Sequence, residues 1–152
     1  MALEIGTEAP DFTLSDSNGD EVTLSQFRGQ PVYLNFYPSA FSLVCTNWFT
    51  AIAADGTPYE GAVVIGVSVD NKSTLAAFKE QIKANEVRFL ADFHPKGDVA
   101  RLYDVYMDQA GIAGRCTYVI DANGIIVDVD QVAPPETPDA DRLIAALATC
   151  KA

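Results

Sequence analysis

Histidine occurs once in this sequence, as His94, and cysteine three times, as Cys45, Cys116 and Cys150. A zinc site or a Cys–His protease would have to draw everything from that single imidazole, so neither is expected. The cysteines show no metal-ligand spacing and are too sparse for a disulfide framework. We therefore expect no metal, no cofactor and a reducing, cytoplasmic compartment. Long apolar runs are also missing. The longest, "AVVIGVSV" (Ala62 to Val69), is far too short to cross a bilayer. The opening "MALEIGTEAPDF" lacks the basic start and apolar stretch of an export signal. Basic side chains number 10 against 21 acidic ones, a formal net charge of −11. Such a protein is repelled by nucleic acid and by anionic membrane surfaces. The acidity fits solubility, or an acidic proteome, better than a docking patch.

What is present is a globular composition. Of 152 residues, 49% are hydrophobic and 20% charged, enough for one domain, residues 1–152, with a real core. "PVYLNFY" (Pro31 to Tyr37) and "AVVIGVSV" are nearly continuous apolar runs. They read as strands buried on both faces, as in a parallel sheet. "CTNWFTAIAA" (Cys45 to Ala54) between them is compatible with a helix, and "DGTPYEG" (Asp55 to Gly61) with a turn. "DNKSTLAAFKEQIKAN" (Asp70 to Asn85) places Leu75, Phe78 and Ile82 on one helical face, with Ser73 as its cap. "RFLAD" (Arg88 to Asp92) reads as a strand and "GDVARLYDVY" (Gly97 to Tyr106) as a short helix. "RCTYVIDANGIIVDVD" (Arg115 to Asp130) reads as a hairpin turning at Asn123-Gly124. "TPDADRLIAALATC" (Thr137 to Cys150) reads as a final helix, with Thr137 as cap and Pro138 at its first position. This order gives an α/β fold of thioredoxin type, a central mixed β-sheet flanked by helices. "DFTLSDSNGDEVTLSQFRG" (Asp11 to Gly29) adds an N-terminal β-hairpin.

The chemistry concentrates in "YPSAFSLVC" (Tyr37 to Cys45), which runs from a strand into a helix and ends on a cysteine. A buried cysteine is often mere core filler. A cysteine at a helix start can instead be a reactive thiolate, because unpaired N–H groups and the helix dipole favour an anion there. A free thiol titrates near pH 8.5, so only about 3% is ionised at pH 7. A guanidinium nearby adds a charge that never titrates away. Pro38 can wall off the sulfur from water.

Pro38, Ser42 and Cys45 stand at the spacing of the peroxiredoxin motif: proline, three residues, threonine or serine, two residues, cysteine. The sequence resembles that family in several further places. Arg115 in "RCTYVIDANG" matches the family's distant arginine, which opens a strand ending before a glycine turn. "GTEAPDFTLSDSNG" (Gly6 to Gly19) reads like its usual opening. "LADFHPKGDVARLYDVYMDQAGIAGRCTYVID" (Leu90 to Asp121) looks like the subgroup named alkyl hydroperoxide reductase E. The resemblance spans nearly the whole chain. It implies a thiol peroxidase acting on hydrogen peroxide or organic hydroperoxides. In that role Cys45 attacks peroxide and becomes a sulfenic acid. Arg115 supports the thiolate and the developing charge, Ser42 bonds the peroxide, and Pro38 shields the pocket. Alone, Ser42 would read as a turn or cap residue and Arg115 as a surface ion pair.

The sequence also departs from that pattern. Trp48 stands where the family usually carries a polar residue, often glutamate. The segment from Cys45 to the next strand is somewhat short. Thr50 occupies the position of a partner cysteine found in some subgroups. Cys116 follows Arg115 on a strand, so it should face away from Cys45 and serve as core. Cys150 lies at a terminal end. A one-cysteine mechanism follows, with an external reductant: a thioredoxin-, glutaredoxin- or mycoredoxin-like protein, or a low-molecular-weight thiol. Tyr37, Phe41, Trp48, Phe49 and Phe93 near the cysteine point to a homodimer through that edge. A dithiol oxidoreductase is excluded, because Ser42-Leu43-Val44-Cys45 lacks the first cysteine of a C-x-x-C pair. The alternative is a non-catalytic thioredoxin-fold binding module or a peroxide sensor.

Overall fold

The computed structural model describes residues 1–151. Its strands are β1 (Thr13–Asp16), β2 (Glu21–Thr23), β3 (Val32–Phe36), β4 (Val63–Ser68), β5 (Val87–Ala91), β6 (Tyr106–Met107), β7 (Ile112–Ala113), β8 (Arg115–Ile120) and β9 (Ile126–Val132). Its helices are α1 (Leu43–Ala54), α2 (Lys72–Ile82), α3 (Asp98–Leu102) and α4 (Ala140–Thr149). Seven strands form one sheet in the order β2-β1-β5-β4-β3-β8-β9, and β6 pairs with β7 apart from it. β3, β4 and β5 run parallel, while β8 lies antiparallel to both β3 and β9. The N-terminal hairpin is stitched to the far edge through β1 and β5. This is the mixed, thioredoxin-like sheet that the element order predicts.

The apolar runs explain why the sheet centre is covered twice. Every residue of β3, β4 and β8 is buried. On one face Leu34, Phe36, Cys116 and Tyr118 pack with Leu24, Phe27 and Ala100. On the other, Tyr33, Tyr37 and Val119 pack with α1, α2 and α4 through Cys45, Phe49, Leu75, Phe78, Leu143 and Leu147. The β8–β9 hairpin closes where expected. Gly124 takes the left-handed conformation (φ 85°), and the Asp121 carboxylate accepts N–H bonds from Asn123 and Ile125.

Three local expectations need correction. The cap of α2 is Asn71, not Ser73; its side chain accepts from the Thr74 N–H at 2.9 Å. α4 starts later than expected, capped by Asp139 rather than Thr137, so Pro138 lies outside it. In both cases a carbonyl-type oxygen two residues from the expected hydroxyl takes the cap. The helix expected over Gly97 to Tyr106 ends at Leu102 as α3, and Tyr106 pairs instead with Ala113 in the two-residue strands β6 and β7, which carry no periodicity to read.

Candidate active site

Cys45 lies in the first turn of α1, which begins at the carboxyl ends of the parallel strands. Its side chain is fully buried. Arg115, first residue of β8, is also buried, and its Nη2 donates to Cys45 Sγ at 3.3 Å. Nε of the same guanidinium donates to the Pro134 carbonyl at 2.9 Å, just beyond the end of β9. That second bond fixes the plane of the fork. The third nitrogen, Nη1, is buried with no acceptor. A buried, unsatisfied charged donor is costly unless something uses it. The arrangement therefore offers one donor to the sulfur and keeps a second free beside it.

The loop between β3 and α1 is held by several independent ties. Pro38 is buried. The Ala40 N–H donates to Asp70 Oδ2 at 2.9 Å, and Ser68 Oγ donates to the same oxygen at 2.7 Å. Phe41 sits in the left-handed region (φ 68°), a conformation a bulky side chain rarely adopts. Such strain persists only where its surroundings over-determine it. Ser42 is the N-cap residue of α1, but its hydroxyl donates to the Ser39 carbonyl at 3.0 Å and so closes the loop. Its oxygen keeps acceptor capacity. The structure thus brings Cys45 and Arg115 into contact and places Ser42 and Pro38 in the loop leading to them. Tyr37 packs in the same layer. Burial pushes its hydroxyl well above the usual range, opposed by Ser68 and reinforced by Asp70 and Cys45.

The other thiols lie elsewhere. Cys116 pairs with Phe36 and faces the opposite layer of the sheet. Burial pushes it up to about 12, against a smaller lowering by Tyr118. Cys150 caps α4, with Sγ 3.4 Å from the Ala146 carbonyl, and burial raises it too. Its neighbour Lys151 donates to the Pro58 carbonyl at 2.6 Å, past the C-terminal end of α1. Cys45 is at the other end of that helix, about 13 Å away along its axis.

One sequence expectation is revised. Tyr37 and Phe49 are core residues and Trp48 is half-buried, so they do not form an exposed edge. The exposed apolar side chains nearby are Phe41, Leu43 and Phe93. Asp70 and Asn35, which brace the site, were missed. Asn35 could have been noticed as a lone amide within an apolar strand, since a buried amide must find partners. Among the described residues, no group of three or more His, Cys, Asp or Glu side chains could hold a metal. A cavity of about 610 Å³ lined by Ile52, Tyr59, Val64 and Val87 lies at the far end of α1 from Cys45.

The model of the AhpC/TSA family matches residues 5–129 of the chain. Over 140 residues the sequence is 36% identical to alkyl hydroperoxide reductase E of Mycobacterium tuberculosis, covering 90% of this chain and 91% of that protein. It is 38% identical over 124 residues to a chloroplastic peroxiredoxin Q of Suaeda salsa, covering 80% of this chain and 56% of that one. Among solved structures, peroxidoxin BcpB from Mycobacterium tuberculosis superposes with a TM-score of 0.86 at 27% identity, over 99% of both chains.

Proposed function

Because the chain belongs to the AhpC/TSA family, we propose that it is a one-domain thiol peroxidase with Cys45 as its nucleophile. The observation that carries the assignment is the 3.3 Å bond from Arg115 Nη2 to Cys45 Sγ beside an unpartnered Nη1. The thiolate sulfur attacks one oxygen of ROOH, an S–O bond forms and the O–O bond breaks. Cys45 becomes the sulfenic acid, and the alkoxide leaves as ROH after taking a proton. A fixed donor at Nη1 stabilises the charge that grows on oxygen in that step. Ser42 offers an acceptor for the peroxide proton, and Pro38 helps exclude water.

Reduction comes from outside the chain. One external thiol displaces water from the sulfenic acid to give a mixed disulfide. A second releases the Cys45 thiol and a disulfide product. Supporting this are the opposite facing of Cys116 and the distance of Cys150. The reductant is a small thiol or a thioredoxin-, glutaredoxin- or mycoredoxin-like protein, and the compartment is the cytoplasm. Phe41, Leu43 and Phe93 form the edge through which two copies pair. The test is peroxide consumption with a thiol reductant, using hydrogen peroxide beside an organic hydroperoxide. Stoichiometric oxidation of Cys45 without turnover under any of these reductants would leave only the sensor reading.

A further inference from the structure

Asn35 is the only amide side chain among the five residues of β3, and it is buried. All four of its hydrogen-bonding positions are filled. Its amide nitrogen donates to the Tyr33 carbonyl at 3.2 Å and the Ile65 carbonyl at 3.1 Å. Its oxygen accepts from Trp48 Nε1 at 3.1 Å and from Thr117 Oγ1 at 2.8 Å. The two donations hold the amide in one orientation, so the oxygen cannot turn away without losing both. That oxygen is therefore a fixed point between two elements. Trp48 stands three residues after Cys45 on α1, on the same helical face. Thr117 stands two residues after Arg115 on β8, on the same face of the sheet. One oxygen atom thus ties the helix that carries the sulfur to the strand that carries the guanidinium.

We propose that Asn35 and Trp48 are positioning residues that set the separation of Cys45 Sγ and Arg115 Nη2. Helix α1 enters through a strained loop and has no side-chain bond at its cap. The Trp48 bond supplies a polar anchor one turn into the helix, where a purely apolar contact would allow it to slide. A shift of about 1 Å at a reacting pair can cost on the order of a hundredfold in rate, so partial loosening should be easily measured. The inference rests on the peroxidase reading for its rate assay but not for its spectroscopic one.

The test is a double-mutant cycle. Trp48→Phe keeps the ring and removes the N–H; Thr117→Val keeps the shape and removes the hydroxyl. Each is made in the natural and in the Arg115→Lys background. Oxidation of Cys45 by hydrogen peroxide is followed by stopped flow, and the thiolate absorbance is read at pH 7. Burial raises both other thiols, which keeps their share of that absorbance small. Trp48→Phe should slow oxidation on the order of tenfold and lower the thiolate signal, but change the Arg115→Lys rate less than twofold. Thr117→Val should move both readouts in the same direction. Equal losses in the two backgrounds would show that Trp48 merely holds the helix in place, and an unchanged thiolate signal would also overturn the proposal. If the natural protein fails to react with peroxide, the peroxidase reading falls, and the thiolate signal still decides whether the tie acts on Cys45.

Discussion

Cys45 and Cys116 lie on opposite faces of one sheet, the first packed beside Tyr37 and Phe49, the second beside Phe36 and Tyr118. A disulfide between them would have to pass through the sheet. Cys45→Ser should therefore abolish peroxide turnover, while Cys116→Ser and Cys150→Ser should each keep most of it. With burial holding Cys116 near 12, native protein at pH 8 should also leave that thiol unalkylated by iodoacetamide. Peroxide consumption and mass mapping of the label check both. Loss of turnover in the Cys150 variant would identify it as the resolving thiol.

Asp92 is buried where β5 meets α3, and its two oxygens accept the Val99 and Ala100 N–H bonds at 3.1 and 2.9 Å. Burial raises it above its ordinary value near 3.8, against the lowering from those N–H groups. The folded state thus holds the proton more tightly than the unfolded chain. Its stability contribution is fully present below the unfolded pKa and is lost as pH rises through the folded value. Asp92→Asn removes that pH dependence but turns an amide N–H toward a backbone N–H. We expect a loss of about 1–3 kcal/mol at pH 7, growing as the pH is lowered toward 4. Urea unfolding at several pH values measures it. A stability equal to the natural protein's at pH 7 would remove Asp92 as the anchor of α3.

Leu43 is 75% exposed at the start of α1, beside Phe41. If two copies pair through this edge, Leu43→Asp should separate them. An acidic residue in the first helical turn complements the dipole, so α1 itself should not suffer. Light scattering at tens of micromolar should give twice the chain mass for the natural protein and the single mass for the variant. A single mass for both would reject the pairing.

Much of this architecture was legible because it follows from periodicity. The apolar runs of β3 and β4, the face of α2 and the Asn123-Gly124 turn each carry a local signal. Cap positions were less legible, because Asn71 competes with Ser73 and Asp139 with Thr137 at a separation of two residues. At the site, the resemblance to the peroxiredoxins singled out Cys45 and Arg115, and the structure joins their side chains. The partners of Asn35 were hidden, because Thr117 lies 82 residues away and meets it only through the β3–β8 register. Asp70 was hidden for the same reason: its tie to Ala40 spans two loops that meet only when β3 and β4 pair.

Arg115→Lys should be far more damaging than conservation of charge implies. Here the guanidinium donates through Nε to Pro134, through Nη2 to Cys45, and leaves Nη1 beside them. An ammonium concentrates its donors on one rotating atom and cannot span a carbonyl, a sulfur and an oxygen in one plane. Each tenfold in rate is about 1.4 kcal/mol. Loss of one positioned donor in other enzymes costs about 2.7–4 kcal/mol. The second-order rate of Cys45 oxidation should therefore fall on the order of a hundredfold or more, with the fold intact by circular dichroism. Stopped-flow oxidation at a pH where the thiol of each variant is fully ionised removes any difference in thiolate fraction. What remains is geometry at the developing oxyanion. A residual loss under about threefold would mean that Arg115 acts through charge alone, and the assignment of Nη1 to the peroxide oxygen would fall with it.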